Sequence, residues 1–375
     1  MTIGIDGNEA NVENRVGISE YAFELLTQFS SLKFSSLKFK IYLKDQPKGD
    51  LPAEDENWKY RVIGPRKLWT QIGLPLDLFI HKPKPDIFFS PTHYAPRFSP
   101  VPTAVSIMDV SYIHFPELFR KRDLYQLKNW TAYSVKNASI VFTISHFSKN
   151  AILEEYKIPE DKIIVTYPGV KKGIDSSKVR LGMDKIKKKY GISNEYILFV
   201  GTLQPRKNIV RLIEAFKEII KDKEKLQLII IGKKGWLYDE ILKAPKKYNI
   251  ENNVKFLDFV TNEDLSSFYQ NATCFVFPSL YEGFGLPILE AMQYDCPVIT
   301  SNVSSLPEVG GEAVLYIDPL SSSDIAAKIR MIINDPKLRK ELIEKGKKQV
   351  AKFSWEKTAR ETLSVLENLV NQKNE

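Results

Sequence analysis

The sequence is poor in cysteine and has no long hydrophobic run. Its 375 residues include only two cysteines, Cys274 and Cys296, too few for a disulfide scaffold or a four-cysteine zinc site. Both lie in apolar stretches, which favours buried, unreactive thiols. The longest apolar runs, such as Tyr196–Val200, are far shorter than the ~20 residues that span a bilayer. The N-terminus also lacks the basic and apolar regions of a secretory signal, so we expect a cytoplasmic protein.

Acidic residues are outnumbered by basic ones, 46 to 54, but the excess is local. Residues 1–170 and 191–375 are nearly balanced, whereas residues 171–190 carry eight basic and two acidic side chains. Because the positive charge is not spread along the chain, we do not expect a nucleic-acid partner. We interpret the basic segment as a solvated linker or short helix, with electrostatic attraction to an anionic membrane or substrate as the alternative.

Both halves of the chain alternate short β-rich runs with helical patterns, which predicts two doubly wound α/β domains with parallel sheets. The predicted boundary falls at the basic segment. No glycine motif of the form G-x-G-x-x-G follows a predicted strand, which disfavours a dehydrogenase. The predicted strands cover residues 2–6, 38–43, 87–90, 103–108, 140–144, 163–166, 196–200, 226–231, 254–256, 273–277 and 297–300.

A basic loop follows the predicted strand at 196–200. The loop reads GTLQPRKN from Gly201 and leads into a predicted helix at 209–221, for which Asn208 is the expected N-cap. Arg206 and Lys207 therefore lie beside a helix N-terminus, whose free N–H groups and positive dipole end favour anions. The loop is a candidate phosphate site, and a pair of exposed surface cations is the alternative.

A second loop follows the predicted strand at 273–277 and reads PSLYEGFGLPILEAM. Two glycines in this loop allow a ligand to approach the backbone closely. We expect Glu282 to project from the loop and Glu290 to lie in the first turn of a helix that begins near Pro287. Two carboxylates so placed can accept hydrogen bonds from sugar hydroxyls, one of a hexose and one of a ribose.

Glu282 and Glu290 have the Glu-x7-Glu spacing of the retaining family-4 glycosyltransferases, also called glycosyltransferase group 1, which this stretch resembles. The loop at 201–208 is similar to the donor-phosphate loop of that family. Residues 297–319 and 353–369 are similar to its next segment and its closing helix. The N-terminal half resembles the family more loosely, through RVGISEY, SPTH and ISHFS.

The resemblance implies a GT-B architecture, in which two Rossmann-like domains face each other across a cleft. Residues 1–170, joined by a C-terminal helix at about 355–375, would form the acceptor-binding domain, and residues 171–354 the nucleotide-sugar-binding domain. Arg206 and Lys207 would neutralise the leaving diphosphate, Glu290 would hold the ribose, and Glu282 the donor hexose. The residues implied for donor binding are Gly17, Gly201, Gly283, Phe284, Gly285, Leu286 and Glu290.

The sequence departs from the family at one position of the N-terminal half. Relatives often carry His-Asp after the strand that matches 103–107, whereas this chain has Met108-Asp109. A thioether cannot donate a hydrogen bond to a sugar hydroxyl, so His93 and His114 are candidate substitutes on the acceptor side, with a packing role as the alternative for each. Asp109 is expected to orient a hydroxyl of the acceptor or of the donor.

Transfer with retention can proceed through a covalent glycosyl-enzyme or by front-face attack. We expect front-face attack, because the sequence shows no residue identifiable as the carboxylate nucleophile that the covalent route needs. The sequence contains no Asp-x-Asp motif, so we expect no metal and no cofactor. GDP-mannose is favoured as donor over UDP-hexoses, with a glycan or lipid-linked acceptor. Other GT-B enzymes, such as an epimerase or phosphorylase, and a silent nucleotide-sugar-binding regulator are the alternatives. A basic cluster at 120–122 beside Phe115, Leu118 and Phe119 leaves peripheral contact with the inner face of the membrane open.

Overall fold

The computed structural model describes residues 1–32, 36–171, 183–192, 195–258 and 260–374. Contacts within the chain divide it into two compact units. The first unit combines Met1–Gly169 with Phe353–Glu375, and the second is Val170–Lys352. The sequence-based boundaries at 170 and 355 therefore lie within two residues of the structural ones.

The first unit is built on a sheet of seven parallel strands in the order β3-β2-β1-β4-β5-β6-β7. Its central strands are buried along their whole length, as expected for a parallel sheet covered on both faces. The strands are β1 (Thr2–Asp6), β2 (Lys38–Leu43), β3 (Trp58–Val62), β4 (Ile87–Ser90), β5 (Thr103–Ser106), β6 (Ile140–Thr143) and β7 (Ile163–Val165).

Helices connect these strands. The C-terminal helix, Trp355–Asn374, packs on the first of these connecting helices, Ile18–Ser31. The ring centroids of Tyr21 and Trp355 lie 5.8 Å apart in an edge-to-face arrangement. The chain crosses closely at Gly169, where an added Cβ would lie 1.9 Å from the Trp355 nitrogen. The helices are α1 (Ile18–Ser31), a π-helix at Trp69–Gly73 that continues into α2 (Leu74–Ile80), α3 (Ser111–His114), α4 (Lys121–Asn137) and α5 (His146–Tyr156).

The second unit contains a parallel sheet of six strands in the order β10-β9-β8-β11-β12-β13. The strands are β8 (Tyr196–Val200), β9 (Gln227–Ile231), β10 (Val254–Leu257), β11 (Cys274–Phe277), β12 (Val298–Ser301) and β13 (Val314–Ile317). The described helices are α6 (Met183–Tyr190), α7 (Ile209–Ile220), α8 (Asp239–Lys247), α9 (Asn262–Asn271), α10 (Leu286–Gln293), α11 (Leu306–Gly310), α12 (Ser322–Asn334) and α13 (Pro336–Val350).

The predicted fold class, two Rossmann-like α/β domains with parallel sheets, is confirmed. Two strands, β3 and β13, were not predicted, and both lie at an edge of their sheet. β13 is a short apolar strand of four residues, whereas β3 mixes polar and apolar residues because an edge strand is covered less completely. In β3, Trp58 is buried while Lys59 and Val62 are exposed, which removes the continuous apolar signal.

Both cysteines are free and buried, as predicted. Burial raises the pKa of the Cys274 thiol to about 12, which keeps it protonated and unreactive. Most of the basic segment, residues 172–182, lies outside the described residues, and residues 183–190 form α6. Within the described ranges, no helix is both long and apolar enough to cross a lipid bilayer.

Candidate functional site

The carboxyl ends of β8 and β9 are brought together by two glycines. An added Cβ at Gly232 would lie 2.0 Å from the carbonyl oxygen of Gly201, so a side chain cannot be placed there. The loop that begins at Gly201 then makes a 3-10 turn, Pro205–Lys207, and enters α7. Ligands of parallel α/β sheets collect at this edge, and the predicted phosphate loop lies there.

Asn208 stands at the N-cap position of α7, as predicted. Its φ of 59° is left-handed, however, and its side chain makes no capping bond. Instead its amide donates to the carbonyl oxygens of Pro278, at 3.0 Å, and Pro319, at 2.7 Å. Asn208 therefore joins the loop after β8 to the loops after β11 and β13.

Glu282 forms an ion-pair cluster with both predicted phosphate-binding cations. Lys207 Nζ lies 2.6 Å from Glu282 Oε1, and Arg206 Nη1 lies 3.2 Å from Glu282 Oε2. Glu282 is only 7% exposed and Lys207 9%, so the pairs are largely screened from water. The expectation that Glu282 projects from its loop is therefore corrected, because its carboxylate turns inward onto the two cations.

The cluster holds Glu282 in its ionised form. Burial by itself raises the pKa of the Glu282 carboxyl, but the charges of Arg206 and Lys207 and the hydrogen bond from Lys207 outweigh burial and lower this pKa below its usual range. Two cations against one carboxylate leave a net positive charge at the end of β8. The cluster can thus bind an anion while its carboxylate keeps acceptor sites, since an ionised carboxyl offers about four lone-pair positions.

The loop that carries Glu282 is braced by two serines that follow β12. The Glu282 N–H donates to Ser304 Oγ at 3.1 Å. Ser305 Oγ, which is fully buried, lies 2.9 Å from the Glu282 carbonyl oxygen and 2.7 Å from that of Phe284. The sequence analysis assigned no role to these serines. The only signal was their place in the stretch 297–319, which is similar to a family segment.

The glycine loop ends at the start of α10. Gly285 has a φ of 117° and is the N-cap, and an added Cβ would lie 2.9 Å from Leu306 Cδ2. Both the left-handed conformation and the close contact require glycine here. Gly283 and Phe284 are buried beside it, and Leu286, half-buried, begins the helix.

Glu290 is the fifth residue of α10 and lies at the start of its second turn, because the helix begins at Leu286, one residue before the predicted start at Pro287. It is half-buried, and the Tyr269 hydroxyl donates to Glu290 Oε2 at 3.1 Å. The Tyr269 ring is stacked on Tyr294, with centroids 6.1 Å apart and planes 10° apart. Tyr269 thus positions the Glu290 carboxylate, and no sequence motif pointed to it.

In the first unit, Asp109 lies beyond the carboxyl end of β5, and the structure brings His93 near it. Asp109 Oδ1 accepts the Ser111 N–H at 2.8 Å, which orients the carboxylate at the start of α3. Burial lowers the pKa of His93, and the neighbouring Asp109 charge opposes this only in part. Among the described residues, His93 Nδ1 has no hydrogen-bond partner. Of the two candidate substitutes, His114 is exposed at the end of α3.

Gly17 caps the N-terminus of α1 with a φ of 57°. An added Cβ there would meet no atom within 4 Å, so backbone conformation rather than packing favours glycine. The open space also leaves the backbone accessible to a ligand. Within the described part of the chain, no group of three His, Cys, Asp or Glu side chains is arranged to hold a metal ion.

Comparison with known proteins identifies the family. The profile described as "Glycosyl transferases group 1" matches residues 182–349. The O-antigen chain mannosyltransferase B of Escherichia coli is 32% identical to the chain over 310 residues, which cover 81% of this chain and 78% of that protein. The chain is a group 1 glycosyltransferase. The resemblance seen in its motifs is thereby confirmed, and the chain is a transferase enzyme.

Other relatives agree with this assignment. The capsular polysaccharide biosynthesis glycosyltransferase CapM of Staphylococcus aureus is 30% identical over 299 residues, covering 76% of this glycosyltransferase and 78% of CapM. The solved structure of sucrose-phosphate synthase (tll1590) from Thermosynechococcus elongatus superposes with a TM-score of 0.75 at 18% identity, over 99% of both chains. Anabaena Alr3699/HepE in complex with UDP-glucose has a TM-score of 0.74 at 17% identity, over 98% of this chain and 99% of HepE. These structural likenesses show that the fold is GT-B.

Proposed function

We propose that this group 1 glycosyltransferase transfers mannose from GDP-mannose to a saccharide or lipid-linked acceptor, with retention and without a metal ion. The observation that carries the proposal is the buried cluster of Glu282, Arg206 and Lys207 at the end of β8. The names of the relatives support the sugar, since one acts as an O-antigen chain mannosyltransferase. A UDP-hexose is the alternative donor, because UDP-glucose is bound in a structure of the same fold.

In this proposal the second unit binds the donor and the first unit the acceptor. Arg206 and Lys207 hold the diphosphate, Glu282 accepts hydroxyl hydrogen bonds of the hexose, and Glu290 accepts those of the ribose. The backbone at 283–286 and Gly201 contact the donor. Asp109 and the neutral His93 orient a hydroxyl, and the exposed His114 is the weaker candidate of the two histidines.

The proposed reaction breaks the bond between the anomeric carbon and the diphosphate oxygen. The acceptor oxygen forms its bond to the same face of that carbon, and its proton passes to the leaving diphosphate. Charge develops on the diphosphate as the bond breaks, so fixed cations stabilise the transition state more than the ground state. Arg206 and Lys207 can supply this stabilisation, which a divalent metal supplies in other enzymes.

Mannose transfer to a mannose-terminated oligosaccharide is expected to proceed at an unchanged rate after treatment with a chelator. The two cations of the cluster already neutralise the leaving group in this proposal, so removing divalent metal should have no effect. NMR of the product should show the anomeric configuration of the donor. Activity that disappears with chelator and returns with Mg²⁺ contradicts metal independence, and an inverted product contradicts front-face transfer.

GDP is expected to raise the unfolding temperature of the enzyme more than UDP or ADP at equal concentration. A ligand that binds only the folded state at a hundred times its Kd adds about 2.7 kcal/mol to the free energy of unfolding. A thermal-shift series with the three nucleotides and their sugars measures the order. A larger shift of the unfolding temperature with UDP would favour a UDP-hexose as the donor instead of GDP-mannose. No shift with any nucleotide would contradict donor binding.

Peripheral contact with the inner face of a membrane is part of the proposal, since the acceptor can be lipid-linked. Arg120, Lys121 and Arg122 are exposed at the start of α4 and can attract anionic lipids. Their predicted apolar companions are not fully exposed with them: Leu118 is 8% exposed, and Phe115 and Phe119 are half-buried, with Phe119 packed edge-to-face on Tyr112. This cluster therefore supplies charge without an apolar anchor.

A further inference from the structure

An exposed apolar stripe runs along the helix formed by Trp69–Gly73 and Leu74–Ile80 in the first unit. We define this outer stripe as Leu68, Ile72, Leu76, Phe79 and Ile80, which are between 44% and 68% exposed. Ile72 and Leu76 are four residues apart, and Phe79 and Ile80 follow Leu76 by three and four residues, which places these four on one side of the helix. Leu68 is the N-cap residue that directly precedes the helix. None of the five carries a charge.

The opposite side of the same helix packs into the hydrophobic core of the first unit. Trp69, Leu74 and Leu78 are buried and pack with Tyr42 and Phe88. The one acidic side chain of the helix, Asp77, is buried and bound by Arg61 through two hydrogen bonds of 2.6 and 2.7 Å. The helix therefore has apolar residues on both sides, although only one side packs into the core.

Basic residues lie at both ends of the stripe. Arg66 and Lys67 precede the helix, and Lys82 and Lys84 follow it. Arg66 is ion-paired with Asp45, so the positive charge at the start of the helix comes mainly from Lys67. The Lys84 ammonium lies 5.6 Å from the centroid of the Phe79 ring, where the charged head can stay in water while the ring enters an apolar phase. Apolar side chains bordered by cations match the surface of a bilayer that contains anionic lipids.

A neighbouring loop adds another exposed aromatic residue. The Arg97 N–H donates to the carbonyl oxygen of Thr70 at 2.9 Å, which fastens this loop to the start of the helix. The next residue, Phe98, is 73% exposed, and its N–H donates to the Tyr133 hydroxyl at 2.8 Å. Phe98 is thus held in place beside the helix and not buried.

We infer that the outer stripe is the apolar anchor by which this enzyme lies on an anionic lipid surface. The inference deepens the membrane contact of the proposed function and names the residues that insert. It differs from the cluster at 120–122, which supplies charge alone. Because no sugar substrate takes part in this contact, it can be tested apart from transfer.

The test is flotation of the full chain with vesicles of phosphatidylcholine, with or without phosphatidylglycerol, and without donor or acceptor. The wild-type protein is expected to float with the anionic vesicles, and less as salt is raised. Leu76→Ser with Phe79→Ser should reduce the bound-to-free ratio by about tenfold or more, since two large side chains lose their insertion. Both side chains are half exposed, so the folded state should persist, which circular dichroism checks.

The matched control is Leu320→Ser with Met331→Ser, which removes two exposed apolar side chains from the second unit and should float like wild type. An equal loss with the control variant would overturn the inference. So would flotation that the stripe variant leaves unchanged while Arg120→Ala, Lys121→Ala and Arg122→Ala together abolish it. A wild-type dimer that the stripe variant makes monomeric, with no vesicle binding, would show a second copy of the chain as the partner instead.

Discussion

Glu282→Gln is expected to abolish sugar transfer, with a residual rate at least about a hundredfold lower. The amide keeps the volume of the side chain but cannot accept hydrogen bonds at both ends. It also removes the negative charge that lies 2.6 Å from Lys207 Nζ and 3.2 Å from Arg206 Nη1. Initial rates with GDP-mannose measure the effect. Turnover near the wild-type level would show that Glu282 is not part of the catalytic site.

The structure adds a stability effect that the motif alone does not predict. Removing one partner of a buried ion pair costs about 3–5 kcal/mol, because the remaining charge stays buried without compensation. Glu282→Ala is therefore expected to lower the free energy of unfolding as well as activity, and Glu282→Gln to lower it less. Urea unfolding measures both. Glu312→Ala, an exposed glutamate of the same unit, is the matched control and should change neither quantity.

The ion pairs of Glu282 also make the free energy of unfolding depend on pH. The pKa of Glu282 is lowered in the folded protein, mainly by the charges of Arg206 and Lys207, so its ionised form stabilises the fold at neutral pH. This contribution is fully present above the pKa of the unfolded state and is lost as the pH falls through the folded pKa. The stability gap between wild type and Glu282→Gln should therefore narrow in acid, below the ordinary glutamate pKa of about 4.3. A gap that widens in acid contradicts the pairing.

Arg206→Ala with Lys207→Ala is expected to weaken binding of a nucleoside diphosphate by well over tenfold. Each cation that faces the diphosphate contributes about 2–4 kcal/mol by analogy with single donors to a developing oxyanion. Tenfold in affinity corresponds to only about 1.4 kcal/mol. Calorimetric titration with GDP gives the change directly. Lys246→Ala with Lys247→Ala, two adjacent exposed lysines of α8, is the matched control.

A loss of affinity could also arise from instability, since the double variant leaves the Glu282 carboxylate buried without its cations. A third variant separates the two effects. Adding Glu282→Gln to the double variant removes the buried charge, so stability should recover while affinity stays low. Affinity that recovers together with stability would contradict a direct role of the cations in phosphate binding.

Much of the fold was readable from local pattern. Buried parallel strands are continuous apolar runs, and β1, β2, β4 and β8 begin and end where the sequence predicts. The two missed strands, β3 and β13, are edge strands whose residues are partly exposed. The helix at 69–80 was also not predicted, since Gly73 and Pro75 interrupt its pattern and both of its sides are apolar.

The candidate residues of the site were also named in advance, because glycines, cations and carboxylates stand at strand ends in a known family order. The contacts between these residues were not predicted. Glu282 and Lys207 are 75 residues apart in the chain, and no local pattern shows that one carboxylate holds both cations. In the same way, Asn208 looked like a helix cap but binds two distant carbonyl oxygens.

By itself the sequence determined the fold class, the family, the strand-end loops and the residue types available for chemistry, because hydrophobic period and motif order are local properties. Only the tertiary structure decided how those residues are paired, which of them are buried, and which apolar residues remain outside. Ion pairing at Glu282 and bracing by Ser305 bring together segments far apart in the chain, and the outer stripe is exposed because the rest of the described chain does not cover it. The burial of a side chain and its distance from other side chains are set only when the chain packs into its tertiary structure. These features therefore carry no sequence signal of their own.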